Sequence, residues 1–519
     1  MRKWRVSVFG VIVTAGAAVL TGCWQQPKAP VAEVPSFPGL VVKVGALDDA
    51  ALLAGVSAQR GEWVASRGGE VAIREQPLAL ESLDEADVLL FPAHRLGDLI
   101  DAGALATIPN EAVLPPAPKE SDEAGGNPGQ AGSEPEREDT FRYMDMARAY
   151  RDQVTRYGSE RLALPIGGSA LVLVYRRDAF ERAANQAAAR AQGLTLELPG
   201  TWEQLDALAR FFQGRDWDGD GRPDHGLALV LGSDAEGVGD ATFLARAASL
   251  GQHPDHYSFL FDSDRMAPRI DTPPFVQALQ ALIDLKASGP PGLERLDADS
   301  AREAFRKGQV AMLIDRAERA AGWSHGKPLG VAPLPGSDRV FDPSQKIWQK
   351  PARRNAPRFL PRGGGWLVGI RGGLSGTQHD AALDFAQYLA NPENSSRLRA
   401  ERGFPMLPCR TSQISQGLPD PTSAPDVDVR AWSDAVSRTL LAERVVPGPR
   451  IPDAAGYLDD LAKGRAAALA GQSPQKALES VARAWDKVTS ARGPMRQLWH
   501  YRRSLNLRAA SLQPPERGT

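Results

Sequence analysis

An α/β fold organised as more than one compact unit is what this sequence predicts, on three observations. Short apolar runs bounded by Gly and Pro alternate with helical patterns along most of the chain. The 519 residues exceed what one ordinary core holds, so two or more domains are expected. A content of 42% hydrophobic and 24% charged residues is the balance of a soluble globular protein. The formal net charge of −2 carries no basic excess, so nucleic acid is not expected as a partner.

The chain opens with Arg2, Lys3 and Arg5, then an apolar run over residues 6–20. That run is too short for a comfortable span of about 20 residues and reads as the h-region of an export signal. It ends in Leu20-Thr21-Gly22-Cys23, which resembles the bacterial lipobox. Residues 1–23 are therefore expected to be a lipoprotein signal, with Cys23 lipidated and residues 24–38, rich in Pro and Ala, serving as a tether. The mature chain would keep one thiol, Cys409, and no internal disulfide.

Residues 40–44 read as a strand, 48–66 as a helix, 87–92 as a buried strand and 94–104 as helix-like. Residues 111–139 are crowded with Pro, Gly, Ser and acidic side chains and cannot offset their ordering entropy, so a disordered insertion is expected. Residues 141–157 read as a helix. The stretch 161–180 then carries a turn, Pro165 to Ser169, and a β-prone run at 170–175, with a helix over 179–192. Its glycines let the backbone turn or let a ligand approach; a plain core strand after a loop fits the same residues. Thr201-Trp202-Glu203-Gln204 has the form of a capping box and starts a helix reaching Phe212. Strands follow at 227–231, 310–314, 329–335 and 366–370, with helices at 272–288, 301–307, 380–390 and from Asn391. In the last confident helix, opened by Ser473-Pro474, Leu478, Val481, Trp485 and Val488 share one face. The tail from Arg492 is basic and partly aromatic and reads as an exposed terminal extension.

Asp216, Asp218, Asp220 and Asp224 alternate around Gly219 and Gly221, the pattern an oxygen-liganded Ca²⁺ requires. The twelfth position is Leu227 where a bidentate Glu belongs. A weak structural Ca²⁺ site, a metal-free Asx-rich turn and a site completed by a distant carboxylate all remain open. No other cofactor is expected. Enzyme signatures are missing: residues 167–171 lack the last glycine of a nucleophile elbow, and His253 with His256 lacks a third zinc ligand.

Residues 87–109, 162–183 and 304–315, with the Thr201 helix start, residues 329–335, 363–370 and 384–392 and the Ser473-Pro474 helix, resemble the extracellular solute-binding proteins of ABC importers, family 1, the maltose-binding-protein type. The resemblance implies a type II periplasmic-binding fold: two α/β lobes joined by crossing strands, with ligand between them. It implies lobe I over 39–168 and 363–410, lobe II over 169–362, hinge and lobe II helices over 411–490 and a basic tail over 491–519. Carried over by position, it implies ligand contacts at Gly168, Ser169, Asp315, Gly364, Gly365 and Trp366, with Arg402 and Phe404 weaker. It further implies no catalysis, a carbohydrate or similar polar solute, an ABC permease as partner, and a monomer held to a bacterial membrane through its lipid. A sensor or scaffold that keeps the fold without transporting is the alternative. The chain departs from the family in lacking an aromatic over residues 45–50, in the acidic insertion and in the tail.

Overall fold

The computed structural model describes residues 35–114, 139, 141–232, 235–324, 326–400, 405–415 and 424–507. Residues 1–34, with Cys23 and most of the tether, lie outside that set, as do most of the acidic insertion, Arg402 and Phe404.

The first part of the chain builds β1 (Val41–Ala46), α1 (Ala51–Arg67), β2 (Glu70–Ile73), β3 (Val88–Pro92) and α2 (Leu96–Asp101). It then runs to β4 (Leu164–Gly168), and after only Ser169 and Ala170 enters β5 (Leu171–Arg176). Two short helices, α3 (Arg177–Glu181) and α4 (Ala183–Ala191), precede α5 (Trp202–Phe212), β6 (His225–Ala228), α6 (Val238–Gly251) and α7 (Pro273–Asp284). Next come α8 (Ala298–Arg306), β7 (Val310–Arg316), β8 (Leu329–Pro333), β9 (Gly365–Ile370), α9 (Gly376–Ala390) and α10 (Pro392–Ala400). The described chain ends in α11 (Val429–Leu440), α12 (Ala454–Leu469), α13 (Pro474–Arg492) and α14 (Pro494–Ser504).

Two sheets result. One has the order β2-β1-β3-β9-β4, with β1 parallel to β2 and β3, and β9 antiparallel to both β3 and β4. The other is β8-β5-β7-β6, where β6 and β7 are parallel and β5 runs against β7 and β8. The chain crosses between them at Ser169-Ala170. It returns through residues 358–365, and a parallel pair, Arg358–Leu360 with Val445–Pro447, runs beside that return. This is a two-lobed α/β fold.

Local chemistry accounts for much of it. The Thr201 hydroxyl accepts from Gln204 N while Gln204 Oε1 accepts from Thr201 N, both halves of the capping box. Helix α1 closes on Gly68 at φ +73°, the left-handed conformation a glycine takes without a Cβ penalty. Order begins before β1, because Phe37 is buried and stacks on Trp63 at 5.9 Å.

Three expectations are corrected. Residues 141–157 do not form one helix: a wide π-turn, Tyr150–Val154, and a hairpin of Arg156–Tyr157 with Glu160–Arg161 replace it. The turn places the buried Tyr150 so that its hydroxyl donates to Gly364 O at 3.0 Å, a tertiary bond outside any helical pattern. The predicted 179–192 helix is two helices that break at Arg182, which has extended backbone. The basic tail is not an exposed extension, since α14 buries Leu498, Trp499, His500 and Tyr501. His500 sits 3.0 Å from the Tyr157 hydroxyl and 3.1 Å from Asp101 on the first lobe. The Tyr501 hydroxyl accepts from the amides of Phe259 and Phe261 on the second. The last helix thus ties both lobes, and one apolar cluster runs from Leu89 and Phe91 through Tyr150 to Leu173 and Trp485.

Candidate functional site

Where the lobes meet, charged side chains from both gather around Arg362. Asp48 follows β1 at φ +66°, and its carboxylate takes a bidentate pair from Arg95, at 2.8 Å to Nη2 and 3.0 Å to Nε. His94 Nε2 lies 3.4 Å from the same carboxylate. Burial alone would raise the Asp48 pKa, but the hydrogen bonds from His94 and Arg95 outweigh it and hold the acid well below the usual range. His94 is shifted down by burial against the pull of Asp48, so the ring is neutral at pH 7.

The second lobe answers with its own network. Glu236 receives Arg302 at 2.6 Å, Arg316 at 2.9 Å and Arg319 at 3.2 Å. Arg302 also holds Asp315 at 3.1 Å, and Asp315 accepts the Trp323 indole at 2.8 Å. Glu318 is buried, accepts a short hydrogen bond from the Ser169 hydroxyl and lies 3.7 Å from Arg316 Nε. Burial raises its pKa, opposed by Arg316 and Ser169.

Arg362 joins the two halves. It lies on the return crossing at φ +52°, and its Nη2 donates to Ala235 O at 3.1 Å, while its Nε is buried without a hydrogen-bond partner. Burial and the neighbouring Arg316 depress its pKa, against Asp48 from one lobe and Glu236 and Glu318 from the other.

A single rule collects these residues. Asp48, His94 and Glu318 follow the carboxyl ends of β1, β3 and β7, Arg316 is the last residue of β7, and Glu236 lies between β6 and α6. Crevices at the carboxyl ends of parallel strands are where open α/β sheets hold ligands. No local motif marks these positions in the sequence; the strand-end rule, applied to the predicted strands, was the available signal.

The residues singled out from sequence are distributed differently. Ser169 is in the cluster through Glu318. Asp315 is buried beneath it, committed to Arg302 and Trp323. Gly168 and Gly365 are register partners, and a Cβ on Gly168 would collide with the Tyr150 hydroxyl. A Cβ on Gly364 would come within 2.7 Å of Val154. Their missing side chains admit protein neighbours. Trp366 is 6% exposed and belongs to the first lobe's core cluster with Ile166 and Val368. The adjoining rings of Tyr150 and Trp432 are buried as well, the latter donating to Ala317 O at 3.0 Å.

A family model described as "Bacterial extracellular solute-binding protein" matches residues 62–395, well over half the chain. The chain belongs to the bacterial extracellular solute-binding proteins. Their solved members share its two-lobed fold at low identity. A ribitol complex of an ABC transporter solute-binding protein from Agrobacterium radiobacter K84 has TM-score 0.58 and 18% identity, covering 87% of this chain and 100% of that one. Maltose-bound T. maritima MalE3 gives 0.57 and 18%, over 86% and 100%. The Thermus thermophilus maltotriose-binding protein gives 0.55 and 18%, over 86% and 99%. No curated protein matches. A member of this family binds rather than transforms, which suits a cluster whose acids and bases are neutralised by one another.

The aspartate loop lies apart from this cluster. Carboxylate oxygens of Asp216, Asp218 and Asp224 lie within 4.8 Å of one another. Burial, then the neighbouring Asp218, Asp220 and Asp216, push the Asp224 carboxyl up to about 6.

Proposed function

We propose that this chain is a lipid-anchored, extracytoplasmic solute-binding protein that captures a carbohydrate or polyol between its lobes and presents it to an ABC permease. The observation that carries the reading is the meeting of Asp48 and His94 from one lobe with Glu236, Arg316 and Glu318 from the other around Arg362. A hydroxyl-rich solute exchanges hydrogen bonds with carboxylates and guanidiniums directly, and only a closed groove lets both sets reach it. Binding then shifts the open–closed population by the differential affinity for the closed state. The relatives' ribitol, maltose and maltotriose are all polyhydroxylated, which supports this class of ligand. The apolar run over residues 6–20 and Cys23 support a lipid anchor to a bacterial membrane outside the cytoplasm, and no described helix is long and apolar enough to cross one.

Titration calorimetry with pentitols, hexitols and maltodextrins tests the binding. Arg362→Ala is expected to weaken the best ligand by about 10- to 100-fold, the worth of a hydrogen bond to a charged group. Binding undiminished in that variant would remove the cluster from the site. The anchor is tested by Cys23→Ser, which should move the protein from the membrane to the soluble fraction. A second reading, a non-transporting sensor or scaffold, is favoured by how completely Glu236, Arg302 and Asp315 already satisfy one another. It gains if no solute in the screen raises the unfolding midpoint.

A further inference from the structure

The geometry points to a structural Ca²⁺ site in the second lobe, formed by Asp216, Asp218 and Asp224. The loop over residues 213–224 joins the end of α5 to the start of β6, and Gly219 and Gly221, at φ +83° and +88°, provide its tight turns. Asp216 lies at the exposed rim and Asp218 is half-buried, while Asp224 is 7% exposed. The decisive atom is Asp224 Oδ2. It is buried and has no hydrogen-bond partner, and an oxygen of the same carboxylate lies within 4.8 Å of one from each of the other two. A buried carboxylate oxygen without a donor bears an uncompensated desolvation cost, and two further carboxylates beside it add repulsion. A hard divalent cation taking one oxygen from each removes both at once, since Ca²⁺ is ligated by carboxylate, carbonyl and water oxygens.

Its affinity class follows from the neighbours. Leu227, at the position of the usual bidentate Glu, is fully buried in β6 and cannot ligate. Asp220 falls outside the trio and accepts from Arg222 N. Arg176 Nη2 stands 3.9 Å from Asp218, and Arg182 donates to the Asp218 carbonyl, so positive charge already leans on the loop. Three carboxylates completed by water and backbone put the site in the range of extracellular modules, about 10⁻⁴ to 10⁻³ M. The bound ion would fix the loop against Trp217, whose buried indole meets Phe212 edge-on and carries the Arg176 guanidinium over its ring. It would thereby brace the second lobe. This inference is independent of solute binding.

Terbium luminescence tests it on the full-length chain, with indole excitation because Trp217 lies within the loop. Tb³⁺ alone should bind and be displaced by Ca²⁺ with half-effect near 0.1–1 mM, and saturating Ca²⁺ should raise the unfolding midpoint by a few degrees over EDTA. Asp216→Asn and Asp224→Asn should each weaken both effects at least tenfold. Asp216 is exposed, so that variant folds whatever Asp224→Asn does. No displaceable terbium signal in the parent chain, or a signal unchanged in both variants, would overturn the site.

Discussion

Neutralising Glu236 isolates what the interlobe network contributes. Its side chain is 17% exposed and compensates three guanidiniums, of which Arg302 and Arg316 are 8% and 7% exposed and Arg319 is 34% exposed. Stripping one partner from a buried pair costs about 3–5 kcal/mol because the other charge stays behind unpaired. Arg302 keeps Asp315 and Arg316 keeps Glu318, while Arg319 is open enough for water to stabilise it, so the low end applies. Glu236→Gln is therefore expected to cost about 3 kcal/mol. Urea unfolding at pH 7.5, with the midpoint shift multiplied by the common slope, measures it. Buried charges are weakly screened, so the loss should persist in 0.5 M salt. Asp299→Asn is the control: that carboxylate also touches Arg302 but is 90% exposed, and its removal should leave the midpoint unmoved. Burial works to raise the Glu236 pKa, yet Arg302 and then Arg316 hold it below 4.5. Its contribution is accordingly full above that value and is lost as pH falls through the depressed one. A loss under about 1 kcal/mol, or one that disappears in salt, would refute the picture of a buried, mutually dependent cluster.

Other positions give sharper contrasts. Gly365→Ala places a Cβ against Gly167 O at φ +133°, so it should destabilise by about 3 kcal/mol or more, whereas Gly373→Ala, with open space around it, should cost only its own φ strain. Trp366→Ala should cost about 3–5 kcal/mol in unfolding while leaving the solute dissociation constant within a factor of two; a selective loss of binding would return this ring to the site. Burial depresses the His500 pKa below 6.5, against the pull of Asp101, so the unfolded chain takes up a proton there first. Stability should fall as pH drops below that value, and His500→Gln should flatten the slope between about pH 6.5 and 5; parallel slopes in the two proteins would show that another group governs the acid limb.

What the chain determines by itself is what neighbours in sequence can decide. The strands at Val88–Pro92, Leu171–Arg176, Val310–Arg316 and Gly365–Ile370 announce themselves as apolar runs between breakers, and Thr201 with Gln204 completes its cap within one turn. Those signals, placed in order, were enough for an α/β fold of more than one unit, while the division into two lobes came with the family resemblance. Helix α6 gave no periodicity because it is buried nearly all round, and α14 looked like a solvated basic end because its rings find partners far away in sequence, at Asp101, Tyr157 and residues 259–261. The groove belongs entirely to tertiary structure. Asp48, His94, Glu236, the Arg316 and Glu318 pair and Arg362 come from five separate stretches of the chain, each an unremarkable charged residue at a strand end or a crossing. Electrostatic energy depends on separation in space and on exclusion of water, so only the packing of one sheet's strand ends against the other's makes these charges a site.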